Sequence, residues 1–270
     1  MLRLGICAGI SALVMSVAPA LAGDANWGGL YIGAHAGHAW GDFDGDVTYD
    51  SPNNNDTAAD HFPGGTGLKT SADGWFGGAQ VGYNIQSGHL VFGVEADVSA
   101  GDADGSGSAT TQSFGTHGTY TKDITTQIEW LGTVRARLGV TTGPALIYAT
   151  GGFAWAKTEA DQRVTFNGGT GGPPGLHAVG SASETLTGWT AGGGIEWAIA
   201  RNWSIKSEYL YVDLGDASYN FVGTHTGLAG GGTAGDPHST DGLDSDVAFH
   251  SVRVGLNYKF GGRDEVVPLK

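Results

Sequence analysis

Ten charged residues could do chemistry together: Glu95, Asp97, Glu129, Arg135, Arg137, Glu196, Lys206, Glu208, Arg253 and Lys259, five acids and five bases. In an extended chain residues two apart share a face, so Glu95 with Asp97, Arg135 with Arg137, and Lys206 with Glu208 each project to one side of a segment whose other side is apolar. Buried ions must be paired, because an isolated charge is costly to remove from water. The set therefore predicts a lumenal salt-bridge network, serving either as a polar plug or as the lining of a narrow ion or water path. Inward glycines at Gly78, Gly82, Gly93, Gly192, Gly194 and Gly255 leave room for the long side chains.

Other chemistries fit less well. Asp42, Asp44 and Asp46 alternate like the start of a calcium loop, but glycine is fourth instead of sixth and Asn53 holds the twelfth position where a glutamate is wanted. An acidic solvated turn is the expectation there. His35 and His38 fall on opposite faces of a strand, while His61, His117, His177, His225 and His238 scatter over polar stretches without zinc-protease spacing. His250 and Ser251 are adjacent and so point apart, which spoils a hydrolase dyad. Gly192 to Gly194 lies inside a strand pattern, not ahead of a helix, so it is no phosphate cradle. No catalytic residue, metal ligand or cofactor is expected.

The elements that must position the charges are strands. Asp246 to Phe260 alternates most plainly at its end, with Val252, Val254, Leu256, Tyr258 and Phe260 opposite Ser251, Arg253, Gly255, Asn257 and Lys259. Similar alternation marks Leu30–Trp40, Trp75–Ile85, Leu90–Ala100, Ile124–Val140, Ala145–Lys157, Thr185–Trp197 and Trp203–Leu214. In the fourth of these, Ile124, Ile128, Trp130, Val134 and Leu138 are read as the outer face. Polar, Gly-rich stretches at 41–73, 101–122, 160–184 and 215–245 read as loops, and they alternate with short connections. That rhythm, with apolar faces turned outward, predicts an all-β, eight-stranded antiparallel up-and-down transmembrane β-barrel with short periplasmic turns and four long extracellular loops. A soluble ligand-binding barrel is the alternative, but its exterior would be polar.

Arg3, the apolar run from Leu4, Pro19 and Ala20-Leu21-Ala22 have the form of a signal peptide cleaved between Ala22 and Gly23. The expected organisation is a signal peptide at 1–22, a barrel at 23–260 and a periplasmic tail at 261–270. Cleavage would remove Cys7, the one cysteine, and with it any disulfide or thiolate chemistry. Beyond the leader no apolar run is long enough for a spanning helix. Acidic residues outnumber basic ones by 27 to 13, which excludes a phosphate-backbone partner.

GGLYIGAHAGHAWG, YATGGFAWAK, WSIKSEYLYVDLG and VRVGLNYKF resemble segments of the small porin-like outer-membrane proteins of alphaproteobacteria, often called outer-membrane immunogenic proteins. These are similar in fold to the transmembrane domain of OmpA. The resemblance implies a location in the bacterial outer membrane, a surface-antigen or porin-like role, and contact with outer-membrane lipid and lipopolysaccharide. It also implies recognition by the barrel-assembly machinery of a C-terminal aromatic signal, here Tyr258 and Phe260, although GGRDEVVPLK follows. It gives no oligomeric state and no solute; a narrow diffusion channel for small polar solutes or ions is the alternative function.

Overall fold

The computed structural model describes residues 25–50, 66–102, 104–112, 119–168, 175–225 and 237–261. The cleavage site Ala22/Gly23, Asn53, His61, His117 and the tail after Gly261 lie outside them. The described residues form β1 (Gly29–Asp50), β2 (Thr66–Ser87), β3 (Leu90–Gly101), β4 (Asp104–Gln112), β5 (Thr119–Thr142), β6 (Ala145–Phe166), β7 (Gly175–Ala198), β8 (Trp203–His225) and β9 (Pro237–Lys259). All pairings are antiparallel. β1 bonds to both β2 and β9, closing the sheet on itself. β4 continues β3 beyond a break at Asp102 and pairs with β2 and β5, so the ring has eight members.

Closure removes every free edge, the condition for a sheet to cross hydrocarbon. Short turns join β2 to β3 and β5 to β6, with Gly88 and Gly143 in the left-handed region at φ 58° and 57°, where a Cβ would be strained. Around the wall, Val81, Phe92, Val94, Val98, Val134, Leu138, Ile195 and Val254 point outward and exposed. At the short-turn end Trp203 packs on Tyr258 and Tyr258 on Phe260, ring centroids 5.0 and 5.2 Å apart. Trp40, Trp75, Trp189, Tyr211 and His250 form the opposite girdle. An apolar outer band between aromatic belts is the signature of a membrane barrel, and it rules out the soluble ligand-binding barrel.

The sheet does not stop at the upper girdle. β1, β2 and β6 are each 22 residues long, about twice the 9–11 residues needed to cross a bilayer. The long connections expected at 41–73, 101–122, 160–184 and 215–245 therefore begin and end as paired strand, and Asp42, Asp44 and Asp46 sit in the β1–β2 ladder opposite Ser71, Lys69 and Gly67, not in a turn. The physical reason is a reversal of polarity. Above the girdle the inward residues are mostly apolar, with Lys122, Thr158 and Gln162 buried among them: Ile124, Ala156, Ala160, Leu186, Val212, Leu214, Tyr219, Phe221, Leu243 and Val247 make one buried cluster. Outward positions there carry Asp, Ser and Thr. Below the girdle the barrel is apolar outside and polar inside; above it, it is built like a soluble barrel.

Two bulges adjust the register to this reversal. In β5 the pairing with β6 shifts between Ile128 and Trp130. Inward residues are odd-numbered from Leu131 to Thr141 but even-numbered at Lys122 and Ile124. Ile124, expected on the lipid face, is thus buried inside. In β8 the shift falls between Asp213 and Asp216, where Gly215 takes φ 70° and donates its N–H to Asp213 Oδ1 at 3.0 Å. One extra residue at each point turns the following side chains to the other face.

Candidate functional site

The inward faces of β3, β5, β7, β8 and β9 bring eight of the ten charged residues together in the lower half of the lumen. Glu95, Asp97, Arg135, Arg137, Glu196, Lys206, Glu208 and Arg253 are each no more than 6% exposed. Four carboxylates face four cations.

Glu95 is the hub. Its Oε1 accepts from Arg135 Nη2 at 2.5 Å and from Lys206 Nζ at 2.8 Å, and its Oε2 accepts from Tyr31 Oη at 2.8 Å. Arg135 Nη2 also reaches Asp97 Oδ2 at 2.8 Å, and its Nη1 reaches Glu208 Oε1 at 3.1 Å. Arg253 joins Asp97 Oδ1 through Nη1 at 3.1 Å and Glu208 Oε1 through Nε at 2.7 Å and Nη2 at 2.5 Å. Glu208 Oε2 accepts from Tyr148 Oη at 2.8 Å.

Nearer the short turns, Arg137 pairs with Glu196 and lies over the Tyr148 ring at 3.8 Å from its centroid, a cation–π contact. Glu196 Oε1 accepts from Ser204 Oγ at 2.5 Å and Asn257 Nδ2 at 2.7 Å. Gln80 Nε2 donates to Asn257 Oδ1 at 2.7 Å, and His35 bridges Gln80 Oε1 and Ser99 Oγ at 2.5 and 2.8 Å. Each carboxylate is held by several donors, the condition under which buried charge is tolerated.

Two members of the expected set lie elsewhere. Glu129 occupies the β5 bulge, where the change of face turns it out of the lumen; it pairs with Lys157 Nζ at 2.7 Å, about a third exposed. That hydrogen bond holds its carboxyl below the usual value. Lys259 sits at the rim of the ring and donates to the Asn26 carbonyl. Tyr258 and Phe260 lie in the lower girdle, as a membrane-facing terminus requires.

Tyr31, Tyr148, Thr133, Ser204 and Asn257 join the network beside the charges that the sequence marks. A signal for the larger ones was present: in the ladder Tyr31 faces Gly82, His35 faces Gly78, Tyr148 faces Gly194, Arg137 faces Gly93, Arg135 faces Gly152 and Lys206 faces Gly255. A Cβ at Gly194 would stand 2.6 Å from Tyr148 Oη. In a ring this narrow each bulky inward group needs an empty neighbour. The glycines expected to make room for charges thus make room for aromatics as well.

Directly above the charges the lumen turns apolar. Ala39, Phe76, Leu131, Leu210 and Phe249 line a cavity of ≈ 40 Å³ that touches Arg253 from above. His250 lies outside the wall, its Nδ1 2.7 Å from Tyr209 Oη, while Ser251 is buried inside. Among the described residues no group of three or more His, Cys, Asp or Glu is placed to hold a metal ion.

Comparison with known proteins agrees with this architecture. Residues 8–260 match the family described as outer membrane protein beta-barrel domain. Over 238 residues the chain is 39% identical to the 31 kDa outer-membrane immunogenic protein of Brucella melitensis biotype 1, covering 87% of this chain and 84% of that one. It is 26% identical to the 22 kDa outer membrane protein of Rhizobium leguminosarum bv. viciae, over 72% and 68% of the two chains. In fold it resembles the crystal structure of OprG from Pseudomonas aeruginosa, with a TM-score of 0.51 at 15% identity, covering 90% of this chain and all of that one.

Proposed function

This chain belongs to the outer membrane β-barrel protein family, and on that premise we propose that it is a structural, surface-exposed barrel, OmpA-like and porin-like in form, whose lumen is closed to solutes. Its place is the bacterial outer membrane, and its relatives bear the name of immunogenic surface proteins. The observation that carries the closed-lumen reading is the burial of all eight charges of the cluster beneath an apolar layer. A conducting path keeps its charges wetted. Here each charge is spent on another, and Phe76, Leu131, Leu210 and Phe249 stand in the way above.

The reading assigns no catalysis. No nucleophile, base and orienter are assembled among the described residues, and His250 and Ser251 lie on opposite sides of the wall. Its partners are outer-membrane lipid and lipopolysaccharide around the apolar band, and the barrel-assembly machinery acting on the aromatic end at Tyr258 and Phe260. The sheet carried beyond the membrane then serves to raise the ends of its long strands above the lipid surface.

Reconstitution into planar bilayers tests the closed lumen. The expected result is a membrane that stays at its baseline conductance. Stable unit steps whose ion selectivity changes on Arg135→Gln would overturn it and establish the narrow diffusion channel instead.

A further inference from the structure

Residues 25–28 precede β1 and belong to no strand, yet they are tied across the short-turn mouth of the barrel. Ala25 N donates to Gly143 O at 3.4 Å, and Gly143 lies in the β5–β6 turn on the far side of the ring from β1. Trp27 N donates to Gln86 Oε1 at 2.6 Å and Lys259 Nζ donates to the Asn26 carbonyl, while Gly28 N bonds within the segment to Asn26 Oδ1 at 2.9 Å. The Trp27 side chain turns up into the lumen, 5% exposed, and packs on Val91, Leu146 and Tyr148. Beside it lies a cavity of ≈ 30 Å³ whose inner wall is Tyr31, Asn84, Glu196, Ser204 and Asn257 and whose outer wall includes Arg201 and Trp203 at the β7–β8 connection.

We propose that Ala25–Gly28 is a lid over the periplasmic mouth, with Trp27 as a releasable stopper, and that its departure opens the Glu196–Ser204–Asn257 chamber to small polar molecules from the periplasm. Three features favour release over permanent closure. The segment can leave without breaking any ladder bond. It is held by a few hydrogen bonds and one apolar seat. Trp27 Nε1 and Asn84 Oδ1, on two of the residues that line this cavity, are buried without a hydrogen-bond partner, so the closed state carries their uncompensated loss of hydration. The chamber's donors and acceptors are mixed and Glu196 is already paired, which suits a small neutral hydrogen-bonding molecule over an ion. The lid deepens the closed-lumen reading by supplying a second closure at one end.

The test uses thiol labelling in open outer-membrane sheets from cells expressing the full chain with Cys7→Ser, which leaves no native thiol. Ser204→Cys reports on the chamber and Thr142→Cys, exposed at the same rim, on the reagent, the small uncharged methyl methanethiosulfonate. Heat-modifiable migration verifies folding. Thr142→Cys should react fast throughout. Ser204→Cys should react slowly, then roughly tenfold or more faster with Trp27→Ala and at an intermediate rate with Gln86→Ala. Equal rates at the two cysteines in the otherwise native chain would overturn the lid; so would a Ser204→Cys rate unmoved by Trp27→Ala. If Trp27→Ala does not fold, Gln86→Ala, which keeps the indole, decides by the same criterion. Labelling reports the lid and conductance reports the plug above it, so failure of one is distinguishable from failure of the other.

Discussion

Glu95 and Arg135 stand directly opposite one another in the β3–β5 ladder, and Arg135 Nη2 meets Glu95 Oε1 at 2.5 Å inside the lumen. Arg253 and Glu208 repeat the arrangement in the β8–β9 ladder. The network is thus built first from cross-strand neighbours, and the ring then brings the two pairs together through Arg135–Glu208. Register and charge are one specification.

Removing Arg135 leaves Glu95, Asp97 and Glu208, all buried, short of a shared donor. Arg135→Met should cost about 3–5 kcal/mol, the usual penalty for breaking a buried pair. Adding Glu95→Gln should recover part of that loss, since the cation and one unmet anion are then gone together. Urea-induced unfolding in lipid vesicles measures both; additive losses in the double variant would refute the pairing.

The reversal of polarity at the upper girdle predicts opposite tolerance at two outward positions. Val134 faces hydrocarbon and is half exposed, so Val134→Arg should destabilise by about 2–4 kcal/mol. Ser183 is exposed on β7 above the girdle, where Ser183→Arg should change stability by no more than about 0.5 kcal/mol. The same unfolding assay compares them. Equal costs would mean that the extension lies in lipid as well.

Gly215 holds φ 70° at the β8 bulge. Gly215→Val places a β-branched residue where the left-handed region costs an L side chain about 1–2 kcal/mol. The loss should appear as faster hydrogen exchange in the strand beyond it, around Tyr219 and Phe221, while the membrane-level half of β8 keeps its protection. Uniform protection along β8 would contradict a bulge set by this glycine.

Glu129 titrates below an ordinary glutamate because Lys157 donates to its carboxylate. A carboxyl with a lowered folded value contributes stability above its unfolded value, and that contribution fades as pH falls through the folded one. Both groups are exposed, so solvent screening keeps the effect on stability small. The readout is therefore the titration itself: Lys157→Met should raise the Glu129 midpoint seen in carboxyl carbon NMR, and an unmoved midpoint would dissolve the pair.

Much of this protein was legible as text. Val252, Val254 and Leu256 opposite Ser251, Arg253 and Gly255 declare a two-faced strand because side chains alternate on any extended backbone, whatever surrounds it. The glycines and short turns, with equal numbers of acids and bases on the inward faces, followed from the same periodicity. What the periodicity could not carry was a change of phase. A bulge adds one residue without altering composition, so periodicity alone puts Ile124 and Glu129 on the wrong side and makes Gly215 the start of a loop. Nor could it show that polar stretches outside the membrane continue the ladder, since their apolar residues bury only against partners from distant strands, as Tyr219 does beside Thr158 at 2.7 Å. Local sequence sets which residues share a face; which face becomes the inside is decided only when the ring closes and each buried charge must find its counterpart.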